Sequence, residues 1–253
     1  ILYNHLMIQE YYKSFVSGDG ACAGCGEKSV LRGIVTMTEA LMKPVYIHKS
    51  ERMSGVAAKL KAEGVSCLSA LKSSHPESYE AMRMAIAHII MGFGGEDIGD
   101  TVERQEQEFK GGDQELIDAL VAVLETDADN HKKMKQFEGT HEGMCYMGMT
   151  ASTGCNTVYG STHPANPHPY PWMNSLFQDG TTIGWLVAES FIMDHSRRSV
   201  LPERLAGHIL TQDSEFNRGI YQLYAHFDDA HMTDQELLEL PKVWVVGGDG
   251  ALG

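Results

Sequence analysis

The chain has 253 residues, of which 43% are hydrophobic and 21% charged, as is typical of a soluble globular protein. Its formal net charge of −14 argues against nucleic acid or an anionic membrane as a partner, because both bind positive surfaces. No run of about 18 apolar residues is present, so the sequence predicts no transmembrane helix.

Both ends of the sequence look truncated. The start, "ILYNHLMIQEYYK", has neither an initiator Met nor the basic region and cleavage site of a secretory leader. The end, "VWVVGGDGALG", stops just after an apolar run. We therefore expect a piece of a larger protein. The cysteines number five, and an odd count without a secretion signal favours a reducing, cytoplasmic compartment, where thiols bind metal or stay free.

Apolar residues recur at helical spacing in four segments, 28–42, 77–91, 114–125 and 182–194. Pro76 and Glu77 form a typical helix start for the second. In the first segment the apolar residues at this spacing are Val30, Leu31, Ile34, Met37 and Leu41. In the second, one face carries Met82, Ala85, Ile86 and Ile89. In the fourth, the residues predicted to face inward are Ile183, Leu186, Val187, Phe191 and Ile192.

Two long segments between these helices have distinct compositions. Residues 96–142 are strongly acidic and poor in aromatic side chains, so we expect a solvated helical insertion rather than core. Residues 160–172, "GSTHPANPHPYPW", contain four prolines and predict an extended loop, because proline fixes φ and removes a hydrogen-bond donor.

Residues 243–246, "VWVV", form a short apolar run with Pro241 before it and glycines after it. This pattern is typical of a central parallel strand, buried on both faces, with Gly247, Gly248 and Gly250 in the loop at its carboxyl end. The order of elements predicts an α/β fold.

The first motif that can carry chemistry is Cys22-x-x-Cys25, within "GACAGCGE". A short loop of small residues can turn two thiolates toward one metal centre, and Glu27 follows directly. The spacing alone also fits a redox dithiol, a zinc knuckle or a pair of buried thiols without a ligand.

The second motif is "TGCNTVYG", residues 153–160, in which Cys155 precedes the proline-rich loop. A lone cysteine is usually a small buried apolar residue. The third is Gly248-Asp249-Gly250 after the apolar run. A carboxylate at the carboxyl end of a parallel strand faces the crevice where α/β sheets bind ligands, and Asp can hold a Mg²⁺ that bridges a diphosphate. The alternative is an ordinary turn.

Taken together, and in this order, "GACAGCGE", "TGCNTVYGSTHPANPHPYPWMNSLFQDGTTIG" and "VWVVGGDG" resemble the thiamine-diphosphate domain of the pyruvate:ferredoxin (flavodoxin) oxidoreductase family. The resemblance is close over roughly 20–30, 148–190 and 242–253. It implies a thiamine-diphosphate-binding fold, in which helices flank a parallel sheet and the site lies at the carboxyl ends of the strands.

The resemblance also implies a set of ligands. Cys22, Cys25 and Cys155 would bind a [4Fe–4S] cluster, and its fourth ligand would come from beyond Gly253. Glu27 and Cys155 would lie against thiamine diphosphate. The diphosphate would be held by Gly248, Asp249, Gly250 and Ala251, with Asp249 on Mg²⁺. Cys67 and Cys145 match no family ligand and are expected to be structural.

The implied reaction is the oxidative decarboxylation of a 2-oxoacid, expected to be pyruvate, to acyl-CoA and CO₂. Electrons would pass through the cluster to ferredoxin or flavodoxin, coenzyme A would take the acyl group, and the enzyme would be a homodimer. Catalytic side chains belong to another domain in the family, so none is assigned here, and we expect this chain alone to be inactive. The alternatives are another 2-oxoacid such as 2-oxoglutarate, a non-redox thiamine-dependent decarboxylase or synthase, and a non-enzymatic zinc-binding or acidic interaction module.

One feature departs from the family pattern. About 130 residues separate the CxxC from the TGC motif, where the family places about one helix and one strand. We therefore treat residues 1–253 as one domain in which 43–147 contains an insertion.

Overall fold

The computed structural model describes residues 26–91, 111–133, 143–152, 154–155, 172–174 and 179–248. These residues fall into two compact units. The sheet unit takes its described residues from Ile1–Tyr46, Lys133–Phe191 and Glu239–Gly253, and the helical unit from Ile47–Lys132 and Ile192–Leu238. Within the described ranges, no helix is both long and apolar enough to span a bilayer.

Helices make up most of the described chain. The α-helices are α1 (Gly26–Ser74), α2 (Pro76–Met91), α3 (Asp113–Lys133), α4 (Gly180–His195), α5 (Leu201–Leu210), α6 (Arg218–Ala225) and α7 (Asp234–Leu238). A π-helical turn, Ser196–Val200, joins α4 to α5, and a 3₁₀ turn, Asp229–His231, precedes α7. All four helices predicted from periodicity are confirmed. Two of them extend well past the predicted bounds, since α1 continues to Ser74 and α3 to Lys133.

Among the described residues, three parallel strands form the sheet: β1 (Met147–Ala151), β2 (Trp172–Asn174) and β3 (Lys242–Val246), in the order β2-β1-β3. The central strand β1 is buried throughout, because it has a neighbour on each side. The sequence prediction of a parallel strand at 243–246 is confirmed, but its predicted central position is wrong for the sheet as described. That strand pairs with β1 alone among the described strands, and its Trp244 is 37% exposed.

Helix α1 packs on one face of the sheet and runs antiparallel to the strands. Leu31 shares an apolar cluster with the last residue of β3. Farther along α1, Thr38 accepts a hydrogen bond from Trp244 Nε1 at 3.1 Å, in the middle of β3. Tyr46 stacks on Tyr146, just before β1, with ring centroids 5.3 Å apart. The beginning of α1 therefore lies toward the carboxyl ends of the strands.

Helix α4 packs on the opposite face of the sheet and also runs antiparallel to the strands. A side chain at Gly184 would meet Val245 Cγ2 at 2.5 Å, and one at Gly148 would meet the Phe191 ring at 3.2 Å. Near the start of α4, Gly180 lies against the end of β1. The sheet unit is thus a parallel sheet with one helix on each face, which agrees with the predicted α/β class at this coarse level.

Several apolar residues at helical spacing on α1 are exposed, and the predicted inward face of α4 is only partly correct. Leu31 on α1 is buried, but Val30, Met37 and Leu41 are 64%, 63% and 70% exposed, and Leu186 on α4 is 58% exposed. The α1 residues of this unit that are buried or pack against its two apolar clusters are Leu31, Val35, Thr38, Met42, Val45 and Tyr46. The exposed residues and the buried residues of α1 both recur at helical spacing. Because the buried residues include the polar Thr38, their apolar pattern is less evident in the sequence.

The helical unit has its own core, built by the second half of α1 together with α2, α3, α5 and α6. The acidic composition of segment 96–142 predicts a solvated insertion. This prediction is wrong for the described part of the segment. Helix α3 buries one whole face, because its apolar residues recur at helical spacing. The buried residues of α3 are Leu116, Ile117, Leu120, Val121, Leu124, Asp127, Ala128 and His131. Residues 92–110 and 134–142 lie outside the described residues.

Charged and polar pairs connect elements of the helical unit. Arg52 on α1 makes a bidentate pair with Glu203 on α5, at 2.5 and 3.0 Å, a geometry that strengthens an ion pair. His208 contacts the Asp213 carboxylate through Nδ1 at 2.7 Å and the Tyr224 hydroxyl through Nε2 at 2.9 Å. Both ring nitrogens of His208 therefore have partners that link α5 to α6, which is a structural arrangement.

Buried His88 on α2 makes the stability of the helical unit depend on pH. Burial, followed by the positive charges of Arg197 and His226, lowers the pKa of His88 from its ordinary value of 6.5. Its ring packs edge-on against Tyr221. The unfolded chain therefore binds a proton at this residue more readily, and the free energy of unfolding decreases as pH falls from 6.5 through the lower folded pKa.

We predict that His88→Gln loses less unfolding free energy than the wild type between about pH 7 and pH 5, because the variant has no imidazole to protonate here. Urea unfolding at several pH values measures this. The control is exposed His75→Gln, which should keep the wild-type pH dependence. Identical pH profiles for His88→Gln and the wild type would contradict the prediction.

Candidate functional site at the carboxyl edge of the sheet

The three strands end together at one edge of the sheet. Ala151, the last residue of β1, lies opposite Asn174 on β2 and Val246 on β3. The Ser152 amide extends the pairing by donating to the Val246 carbonyl at 2.9 Å. The chain continues from this edge into Gly154 and Cys155 after β1, and into Gly247 and Gly248 after β3.

Both helices that flank the sheet also begin at this edge. Helix α1 starts at Gly26 and α4 at Gly180. The first backbone N–H groups of a helix have no partner within it, and the helix dipole places partial positive charge there. Strand ends and helix starts that meet in this way form the usual ligand-binding crevice of α/β proteins, and they favour an anionic group.

The start of α4 is held tightly against the end of β1. The Thr150 hydroxyl donates to the Gly180 carbonyl at 2.9 Å. A Cβ on Gly180 would meet Ser152 Oγ at 2.5 Å and the Ser152 backbone nitrogen at 2.9 Å. Only glycine fits at this point, and the contact fixes where α4 begins relative to the strand ends.

Asn174 is the most unusual polar residue of the edge. Its side-chain oxygen and nitrogen are both buried, and neither has a hydrogen-bond partner among the residues that the structure describes. Buried side-chain amides are normally paired, because an unpaired one loses its hydrogen bonds to water without replacement. Neither Asn174 nor Ser152 was predicted as a site residue, since nothing in the sequence gives the register of β2 on β1.

Three of the residues predicted to bind a ligand are described, and each lies next to this edge along the chain. Glu27 is exposed in the first turn of α1, and Gly248 is exposed two residues after β3. Cys155 is an exposed free thiol four residues after the end of β1. The predicted ligands Cys22, Cys25, Asp249, Gly250 and Ala251 lie outside the described residues, as do the proline-rich stretch 160–171 and residues 175–178.

No three His, Cys, Asp or Glu side chains gather into a metal-binding group within the described ranges. The two cysteines without a family counterpart lie in packed positions. Cys67 is buried in the core of the helical unit, and Cys145 packs half-buried in the cluster before β1. Both positions agree with the structural role expected for these two residues.

We predict that Gly180→Ala destabilises the protein by about 1–3 kcal/mol, because the new methyl group meets a backbone nitrogen that the Val246 carbonyl already holds. The control is Gly207→Ala on α5, where the methyl group meets nothing within 4 Å. That change should stabilise by about 1 kcal/mol through helix propensity. Urea unfolding measures both, and equal stabilisation by the two alanines would contradict the packing described for α4.

Comparisons of the chain with protein-family models, with curated proteins and with solved structures find no match.

Proposed function

We propose that the carboxyl edge of the sheet unit binds thiamine diphosphate and Mg²⁺ beside a [4Fe–4S] cluster, and that the protein oxidatively decarboxylates a 2-oxoacid. Pyruvate is the proposed substrate and coenzyme A the acyl acceptor. Ferredoxin or flavodoxin would receive the electrons, and the functional protein would be a homodimer. The fold proposed for the sheet unit is accordingly the thiamine-diphosphate-binding fold.

One observation carries the proposal. Three sequence motifs, separated by about 130 and about 90 residues, each lie next to the same edge of one sheet along the chain. The residue after Cys25 begins α1, whose start lies toward this edge. Cys155 follows β1, and the residue before Asp249 follows β3. A chance set of cysteines and glycines has no reason to meet at the place where parallel sheets bind cofactors.

The described residues fit a diphosphate. Two helix starts supply partial positive charge, and the chain after β3 is glycine, which lets backbone N–H groups approach closely. Gly248, Asp249, Gly250 and Ala251 would hold the diphosphate, with the Asp249 carboxylate on Mg²⁺. Glu27 would contact the cofactor from the first turn of α1.

The position of Cys155 supports an iron–sulfur cluster at this edge as well. Cys155 is exposed there as a free thiol, and thiolates are the ligands that such clusters require. Cys22 and Cys25 would supply two more sulfurs next to the start of α1. The small residues around them in the sequence would leave space for a cluster, and backbone N–H groups near its sulfurs would tune the reduction potential.

Bound thiamine diphosphate supplies the electron sink for loss of CO₂ from a 2-oxoacid, and a neighbouring cluster accepts electrons one at a time. The chain's own residues would bind and orient these cofactors. The helix starts would stabilise the negative diphosphate, Asp249 would hold the metal, and Cys22, Cys25 and Cys155 would bind the cluster beside the cofactor. Residues that choose between pyruvate, 2-oxoglutarate and other 2-oxoacids are not assigned to this chain.

The proposal is tested by measuring iron and acid-labile sulfide, with a visible spectrum, on the full-length parent protein purified without oxygen. We expect about four of each per chain, because a [4Fe–4S] cluster contains that number. Cys155→Ser should lose most of both. Half-buried Cys145→Ser is the matched control and should keep them.

Two other results would point to the alternative functions. Thiamine diphosphate binding without iron would contradict the redox function and leave a non-redox decarboxylase or synthase. Zinc without thiamine diphosphate binding would leave a non-enzymatic zinc-binding module.

A further inference from the structure

We infer that Asn174 is a ligand-binding residue whose side-chain amide pairs with the donor–acceptor edge of an amino-substituted nitrogen heterocycle. This inference rests on the proposed function, in which two ligands carry such an edge: the aminopyrimidine ring of thiamine diphosphate and the adenine ring of coenzyme A. The argument depends on where Asn174 lies, on what its amide lacks and on which chemical groups complement an amide.

Asn174 lies on the same face of the sheet as α1. Trp172, two residues earlier in β2, packs in one cluster with Leu31 of α1 and Met149 of β1. Side chains of a strand alternate between faces, so Asn174 shares the face of Trp172, one step closer to the carboxyl edge. The start of α1 lies toward this same corner, and with it the first turn that carries Glu27.

The amide of Asn174 is buried but unsatisfied. Neither Oδ1 nor Nδ2 has a hydrogen-bond partner within the described part of the chain, although both atoms are shielded from water. An apolar side chain of similar size would cost the fold less at this position. A buried polar group that lowers stability in this way commonly serves binding, because natural proteins tolerate such unfavourable residues mainly at functional sites.

The chemistry of the amide selects the type of ligand. A side-chain amide presents an acceptor oxygen and a donor nitrogen next to each other. An aminopyrimidine or adenine edge offers the matching amino donor and ring-nitrogen acceptor, and asparagine makes this bidentate pair with adenine in nucleic acids. A diphosphate or a 2-oxoacid carboxylate offers acceptors only, so it would leave Oδ1 unpaired. The heterocycle is therefore the better complement.

Asn174→Leu tests the inference in three measurements. The melting temperature of the ligand-free protein should stay equal or rise, because an unpaired buried amide is removed. The affinity for Mg²⁺–thiamine diphosphate or for coenzyme A should fall by about tenfold to a hundredfold, as expected for loss of a bidentate pair. The affinity for Mg²⁺–pyrophosphate, which has no ring, should stay within about twofold of the wild type.

Met173→Leu is the matched control. Met173 is the neighbouring residue of β2, is 50% exposed and lies on the opposite face, so its replacement should leave all three measurements unchanged. A loss for thiamine diphosphate alone identifies the aminopyrimidine as the partner, and a loss for coenzyme A alone identifies the adenine.

Two results would overturn the inference. Unchanged affinity of Asn174→Leu for both ring-bearing ligands would mean that the amide binds neither ring. A lower melting temperature, with an equal loss of pyrophosphate binding, would make Asn174 a structural residue. A wild-type protein that binds no thiamine diphosphate would instead contradict the proposed function itself.

Discussion

The antiparallel packing of α1 on the parallel sheet is the constraint on which the proposed site depends. The contacts run in order from Leu31 near the strand ends to Tyr46 just before β1, so the helix cannot begin anywhere except near the carboxyl edge. Since α4 runs the same way on the other face, two helix starts and three strand ends meet there. The positive ends of both helix dipoles thus reach the edge next to which the residues proposed to bind the cofactors lie along the chain.

Small residues make this packing possible. Gly148 lets Phe191 approach β1, Gly184 lets α4 lie on Val245, and Gly180 brings the first turn of α4 onto Ser152. A side chain at any of these positions would move α4 away from the strands. The same residues therefore contribute both to the stability of the sheet unit and to the position of the edge that is proposed to bind a ligand.

Helical periodicity was sufficient to predict α2 and the cores of α1, α3 and α4, because each repeats apolar residues at intervals of three and four. It did not show which face of α1 meets the sheet, since Thr38 occupies a contact position and Leu41 does not. The acidic composition of segment 96–142 gave a wrong prediction for α3, because the same helix carries an apolar face that fills the core of the helical unit. The charged residues of a helix indicate that one side is exposed, but they do not indicate whether the opposite side is buried.

The candidate site was predictable only where a motif was local. Cys155 and Gly248 stand out by their immediate neighbours, whereas Asn174 and Ser152 become site residues through strand register, which requires the folded sheet. The proposed chemistry comes from the sequence resemblance. The described geometry adds that the motifs lie next to one edge of the sheet. A separate helical unit, formed by the described residues of 47–132 and 192–238, was not expected from the motifs.

The central claim is that segments distant in sequence form one cofactor site, and hydrogen–deuterium exchange with mass spectrometry tests it most directly. Exchange is compared with and without thiamine diphosphate and Mg²⁺. The account predicts that the cofactor slows exchange together in the start of α1, the segments after β1 and β3, and the first turn of α4, while α5 and α6 of the helical unit stay unchanged. Slowing in only one of these segments, or in the helical unit alone, would contradict it.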